Sequence, residues 1–236
     1  MTRFRAVVFD LFGTLVGEFP LTDWEAHFVE MAEILRADRV RLRAVWEETA
    51  IERQTGTLGD IEQNLREICR RVGVEPDDEA VRGALEVRMA LYDRHFRPLP
   101  GTLEAVRGVR ERGCRTGLVS MCAPDAPGMW HRSPFAGLMD AEVFSCEAGV
   151  RKPDPAIYLL AADRLGVEPA ACLYVGDGSY GELRGAREVG MTAVLVRDPD
   201  EPEGTYLRPE MEAWDGAAIS RIGEVMRFVS GQPSTR

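Results

Sequence analysis

A few side chains stand out by type and position. Asp10 closes the apolar run "AVVFD" (6–10), and the turn residues Gly13 and Thr14 follow at once. Gly13 allows a sharp turn, and the Thr14 hydroxyl can touch a bound anion. Ser120 ends "RTGLVS", where its hydroxyl and the next amide can hold an oxyanion, and Asp177 follows "LYVG". Lys152 is the single lysine beside 28 arginines, so a compact, strongly hydrated ammonium is set apart at that position. Two residues after Asp10, where a second acid would help proton transfer, stands Phe12. This pattern poses a choice between a hydrolase lacking one part, a hydrolase of another kind, and a former enzyme.

The elements that must position these groups alternate. "AVVFD" (6–10), "RTGLVS" (115–120), "AEVFSC" (141–146), "CLYVGD" (172–177) and "TAVLVRD" (192–198) read as buried parallel strands. Helical patterns at 102–112, 155–165 and 182–189 separate them, and Asp154-Pro155 is a good helix start. Such alternation predicts an α/β fold with a doubly wound parallel sheet. Ligands sit off the carboxyl ends of such strands, where Asp10, Ser120 and Asp177 all fall.

Residues 18–97 break the alternation with four helix-like stretches. Trp24, Phe28, Met31 and Leu35, then Ile61, Leu65, Ile68 and Val72, then Val81, Leu85, Met89, Tyr92 and Phe96 follow helical spacing, which predicts bundle packing. Thr22 with Glu25 and Asp60 with Gln63 have the spacing of capping boxes. The expected division is an α/β core over 1–17 and 98–236, and an all-helical cap over 18–97. The final "SGQPSTR" is expected to fray.

The chain of 236 residues carries a formal net charge of −10, which argues against nucleic acid or an anionic membrane as partner but not against a small anion in a local pocket. The N-terminal apolar run is broken by Asp10, so no membrane span is expected. Five cysteines, odd in number and without CxxC spacing, favour reduced thiols in a cytoplasm. Cys122 has no activating base placed beside it and reads as a buried or loop thiol.

Taken in order, "VVFDLFGTLV", "GLVS", "RKPDPAIY" and "YVGDGSYGEL" resemble the four motifs of the haloacid dehalogenase-like (HAD) superfamily, and the helical insertion sits where that superfamily carries a cap. The resemblance implies a Rossmann-like core and makes Asp10 a nucleophile, with Thr14, Ser120 and Lys152 serving the transferring group. It assigns Mg²⁺ to Asp10, the Phe12 carbonyl and Asp177, with Glu182 behind them, in keeping with magnesium's preference for oxygen ligands. "GDGSYGE" has Glu where the last acid is usually Asp. The implied activity is a Mg²⁺-dependent phosphomonoester hydrolase acting on a small phosphorylated metabolite through an aspartyl phosphate.

Phe12 supports a second reading. Superfamily phosphatases usually carry a second Asp there, and losing a positioned acid–base typically costs about 10²–10⁴ in rate. Either a good leaving group or a proton donor from the insertion, His27 or His95, would make up the difference. Metal-independent 2-haloacid dehalogenases carry an aromatic at this position, because halide leaves without a proton. Against that alternative, Asp10, Asp177 and Glu182 would set three negative charges against Lys152 alone. A phosphonate-cleaving relative needs a cap lysine, and 18–97 contains none. A non-catalytic binding protein is the third alternative, opposed by the retained Asp10, Ser120, Lys152 and Asp177. Arg53 is expected at the solvated surface rather than on an anion, and the loop 121–135 is expected to form a rim with Trp130 exposed or packed on the cap.

Overall fold

Strand β1 (Ala6–Phe9) is the central strand of a six-stranded parallel sheet. The computed structural model describes residues 4–197 and 213–229. The other strands are β2 (Arg115–Ser120), β3 (Ala141–Phe144), β4 (Cys172–Gly176), β5 (Thr192–Val196) and β6 (Ala217–Ile219), in the order β3-β2-β1-β4-β5-β6. The five expected strands are present, most of them a residue or two shorter than their apolar runs. Asp198 and the C-terminal "SGQPSTR" lie outside the described residues. The sixth strand, "AAI", is too short to announce itself by pattern.

Each central strand is buried on both faces, so its residues alternate between two cores. Val7 and Phe9 of β1 join Leu118, Leu173 and Val175 on one face, while Ala6 and Val8 join Val119, Cys172 and Tyr174 on the other. Helices α9 (Pro155–Leu165) and α10 (Glu182–Glu188) cover the second face, and α6 (Thr102–Glu111) covers the first. Asp154 caps α9 as expected, accepting from the Ala156 amide, with Pro155 at the first helical position.

Between β1 and α6 the chain forms five helices, one more than the four stretches expected: α1 (Leu21–Leu35), α2 (Arg39–Glu48), α3 (Ala50–Gln54), α4 (Ile61–Val72) and α5 (Asp78–His95). Phe28, Met31, Leu35, Leu42, Trp46, Leu65, Ile68 and Val81 give this insertion a core of its own. Tyr92 and Phe96 instead join the core beneath the sheet, together with Phe12 and Phe19. Asp60 and Gln63 form the expected capping box. Thr22 and Glu25 do not. The N-cap is Pro20, two residues earlier, which places Thr22 inside the first turn, where its hydroxyl turns to Asp23.

The loop after β2 also differs from expectation. Met121, Cys122 and Ala123 do reach a cavity above the sheet, but Asp125–Trp130 is a short helix, α7. Trp130 is wholly buried and neither exposed nor packed on the insertion: it stacks on Phe135 at 5.3 Å, and its Nε1 donates to Glu142 Oε1 at 2.6 Å. A large ring whose N–H finds a carboxylate can enter a core without desolvation loss.

Candidate active site

Sheet register brings the chemistry together. Phe9 is paired with Leu118 on one side and Val175 on the other, so Asp10 emerges beside Ser120 and Asp177 at the carboxyl edge. The Asp10 amide donates to the Val175 carbonyl at 2.9 Å. Gly13 then takes φ 75°, and the Leu15 and Val16 amides fold back on the Leu11 carbonyl at 2.8 and 3.0 Å. A residue with a Cβ is strained in that conformation, which is why glycine occupies the turn. Thr14 is carried round by it, and its Oγ1 donates to Asp10 Oδ2 at 3.1 Å.

Lys152 reaches the same carboxylate from the loop before α9. Its Nζ pairs with Asp10 Oδ1 and lies 2.6 Å from Glu182 Oε2. All three side chains are buried. Burial alone would draw the Lys152 ammonium down, but the Asp10 and Glu182 charges outweigh it and raise its pKa. Burial raises the Asp10 carboxyl, helped by the Asp177 charge and opposed by Lys152. Glu182 is raised well above its usual range by burial and then by Asp10.

Glu182 is nevertheless well supplied with donors. Besides Lys152, the Tyr174 hydroxyl donates to Oε2 at 2.7 Å and the Gly178 amide to Oε1 at 3.1 Å. A Cβ on Gly176 would lie 2.1 Å from Glu182 Oε1, so the strand ends in glycine to let that carboxylate in. Asp177 is oriented by Ser179, whose amide and hydroxyl donate to its two oxygens at 2.9 and 2.8 Å. One oxygen from each of Asp10, Asp177 and Glu182 lies within 4.8 Å of the others. Oxygens of three buried carboxylates thus converge on one point, and this donor set of hard oxygens fits a divalent cation such as magnesium.

Ser120 Oγ is fully buried and has no hydrogen-bond partner beyond its contact with the Cys122 thiol. A buried hydroxyl left in that state is suited to a ligand oxygen. Cys122 lies 3.9 Å from Cys146, Sγ to Sγ, and burial pushes its thiol well above the usual range, so it is not a nucleophile at neutral pH.

Asp10, Phe12, Lys152 and Glu182 line a cavity of about 80 Å³, which Arg53, Gln54, Arg88 and Tyr92 close from the insertion. Arg53 is therefore not a surface group. It is 7% exposed, because the turn after α3 presses against the core: a Cβ on Gly56 would meet the Cys146 carbonyl at 2.0 Å. Burial, and then the neighbouring Arg88, draw its pKa down to about 10, which leaves it cationic at neutral pH. Tyr180 also lines the cavity, in a left-handed conformation with φ 54° that no sequence pattern announced.

Phe12 has a neighbourhood of its own. Its ring lies 5.8 Å from Phe19, 5.8 Å from Phe96 and 6.4 Å from Tyr92, an aromatic cluster joining the strand end to both ends of the insertion. Neither candidate proton donor faces the cavity. His27 Nδ1 is bonded to the Trp24 carbonyl, and its Nε2 lies 3.5 Å from Arg88 Nη1; burial holds its pKa down at about 3, so it is neutral. His95 Nε2 is 2.7 Å from Asp23 Oδ2, on the far side of the aromatic cluster.

Comparison with known proteins agrees with this architecture. A profile of the haloacid dehalogenase-like hydrolase family matches residues 4–190. A glyceraldehyde 3-phosphate phosphatase of Methanopyrus kandleri is 34% identical over 136 residues, 55% of this chain and 56% of that protein. The chain spans less than two thirds of the length of the first curated relatives it matches. A phosphonoacetaldehyde hydrolase of Bordetella avium is 30% identical across 98% of this chain and 85% of its own. The fold is shared with a HAD phosphatase from Thermococcus onnurineus at 20% identity and TM-score 0.65, covering 97% of this chain and 99% of that one. L-2-haloacid dehalogenase structures superpose comparably, at TM-score 0.63 and 20% identity over 98% of this chain and 100% of that one. With a parallel sheet that delivers an aspartate, a serine, a lysine and a second acidic pair to one edge, the chain belongs to the haloacid dehalogenase-like hydrolase family.

Proposed function

We propose that the protein hydrolyses a small phosphomonoester, with Asp10 as nucleophile. The observation that carries this reading is the acidic cluster at the strand edge: oxygens of three buried carboxylates converge, and Lys152 pairs with two of them, Asp10 and Glu182. Asp10 and Asp177, with the Phe12 carbonyl, would hold Mg²⁺, and Glu182 supports them from behind through Lys152. When bound, the ion neutralises the acidic cluster and the charge on the phosphoryl oxygens.

The chain's own groups do the rest. Thr14 and Lys152 each hold one oxygen of Asp10, fixing its plane for attack. An Asp10 oxygen bonds to phosphorus as the ester P–O bond breaks and its electron pair leaves with the alcohol oxygen. Water then attacks phosphorus, releases inorganic phosphate and restores the carboxylate. The Ser120 hydroxyl and Lys152 hold the phosphoryl oxygens during both steps. Phe12 supplies no proton, and neither His27 nor His95 lines the cavity, so the leaving oxygen takes its proton from water. Residues 18–97 act as a cap that excludes bulk water from the cavity formed with 1–17 and 98–236. Cysteines outside any disulfide suit a reducing compartment such as the cytoplasm.

Phe12 alone favours the metal-independent dehalogenase, whose halide needs no proton. The acidic cluster favours the phosphatase. A panel of phosphomonoesters and 2-haloacids, each with and without Mg²⁺, separates them. Metal-dependent phosphate release that is lost in Asp10→Asn is the expected result; metal-independent halide release overturns it. The phosphonate-cleaving alternative lacks the lysine that would form its Schiff base, because the insertion has none.

A further inference from the structure

Two guanidinium groups reach the cavity from the insertion, and their surroundings differ. Arg88 Nε donates to Asp125 Oδ2 at 2.8 Å, an ion pair closed to solvent. Arg53 is nearly as buried, yet among the described residues no carboxylate lies within ion-pair distance of it. Its contacts are neutral: Nη2 donates to the Trp46 carbonyl at 2.8 Å, Nε to Thr49 Oγ1 at 3.4 Å, and the guanidinium plane lies 4.3 Å from the Trp46 ring. These fix the fork, while Nη1 makes no hydrogen bond within the described residues. Gln54, next in the chain, is held through Oε1 by Arg151 Nη1 at 2.7 Å, and it too lines the cavity.

A buried cation whose neighbouring carboxylate, Asp125, is already paired with Arg88 is costly, and the ordinary remedy is an anion brought in by a ligand. Taking the phosphatase reading as its basis, we infer that Arg53 forms a second anion site, which binds the carboxylate of a small phosphomonoester whose phosphoryl group lies against Asp10. One unmatched positive charge suits a carboxylate better than a second phosphate. A guanidinium edge also matches carboxylate geometry. Arg53 and Asp10 line the same cavity, so one small ligand with an anionic group at each end can meet both.

Calorimetric titration of Asp10→Asn in magnesium buffer tests this without turnover. With 2-phosphoglycolate and ethyl phosphate as probes, the carboxylated ligand is expected to bind at least about tenfold tighter. Arg53→Gln in the same background should abolish that preference, and Arg53→Lys should keep part of it. Equal affinity of the two ligands with Arg53 intact overturns the inference, whatever the variants do. Tighter binding of ethane-1,2-diyl bisphosphate than of 2-phosphoglycolate overturns the carboxylate assignment. Phosphate release by the unaltered protein is read in parallel. Release from ethyl phosphate without carboxylate preference ends the Arg53 site and leaves the phosphatase standing. Preference in binding without release from any ester upholds the Arg53 site and ends the phosphatase.

Discussion

Arg88 Nε and Asp125 Oδ2 meet at 2.8 Å with both side chains buried, and this pair fastens the insertion to the core. Arg88 lies on α5 and Asp125 opens α7, just beyond the strand that carries Ser120. Tyr92, one helical turn after Arg88, donates to the other Asp125 oxygen at 2.7 Å. Removing one partner of such a pair strands a buried charge, at a cost of about 3–5 kcal/mol. Asp125→Ala should therefore lose about that much stability in urea unfolding, and the double variant Arg88→Met/Asp125→Leu should lose clearly less. Equal losses in the two variants would show that the pair is not what joins these elements.

Ser120 separates stability from activity. Its hydroxyl is buried without a proper partner, so Ser120→Ala removes an unmet desolvation cost of about 1–3 kcal/mol. The variant should melt at the same temperature or higher, while phosphate release falls by about tenfold or more through loss of a phosphoryl contact. A drop in melting temperature would mean that the hydroxyl supports the fold.

Replacing Phe12 should not simply restore a proton donor. Phe12→Ala should cost about 3–5 kcal/mol, since the ring packs on Phe19, Phe96 and Tyr92. Phe12→Asp should cost at least as much by burying a carboxyl among those rings, with no gain on slow esters. Equilibrium unfolding beside steady-state assays reads both effects.

His27 gives the protein an acid-sensitive stability. Its folded pKa is about 3, below its usual 6.5, because the ring is buried and faces Arg88. The unfolded chain therefore binds the extra proton between those values, and stability falls as pH drops below about 6.5, by up to about 1.4 kcal/mol per pH unit. His27→Gln should flatten that slope in urea midpoints measured between pH 7 and 5. An unchanged slope would assign it to other groups.

Magnesium should raise the melting temperature of the intact protein, because it binds the folded acidic cluster and not the unfolded chain. Asp177→Asn should reduce that shift without abolishing the fold. Identical shifts in both proteins would place the ion elsewhere.

The sheet was legible in the sequence because its strands are buried on both faces and so read as continuous apolar runs. Asp10, Ser120 and Asp177 were legible because each ends or directly follows one of those runs. What escaped detection depends on contacts between segments distant in the chain. Arg53 looks like a surface residue in "ERQTGTLGD" until Gly56 is pressed on the Cys146 carbonyl. Trp130 enters the core only because Glu142, from another strand, meets its N–H. The Thr22 capping box failed because Pro20 set the helix start, a shift of two residues that spacing does not resolve. Strand β6, three residues long, gains its pairing from β5 alone and has no periodicity to read.

The insertion departs and returns through a single antiparallel bridge between Val16 and Pro98, reinforced by the Leu99 amide on the Leu15 carbonyl at 2.9 Å. Both stems thus leave the sheet side by side at one seam. A helical segment of another length, spliced in at that seam, would meet the core at the same two points, so the wall it lends the cavity can vary while the strand end carrying Asp10 keeps its place.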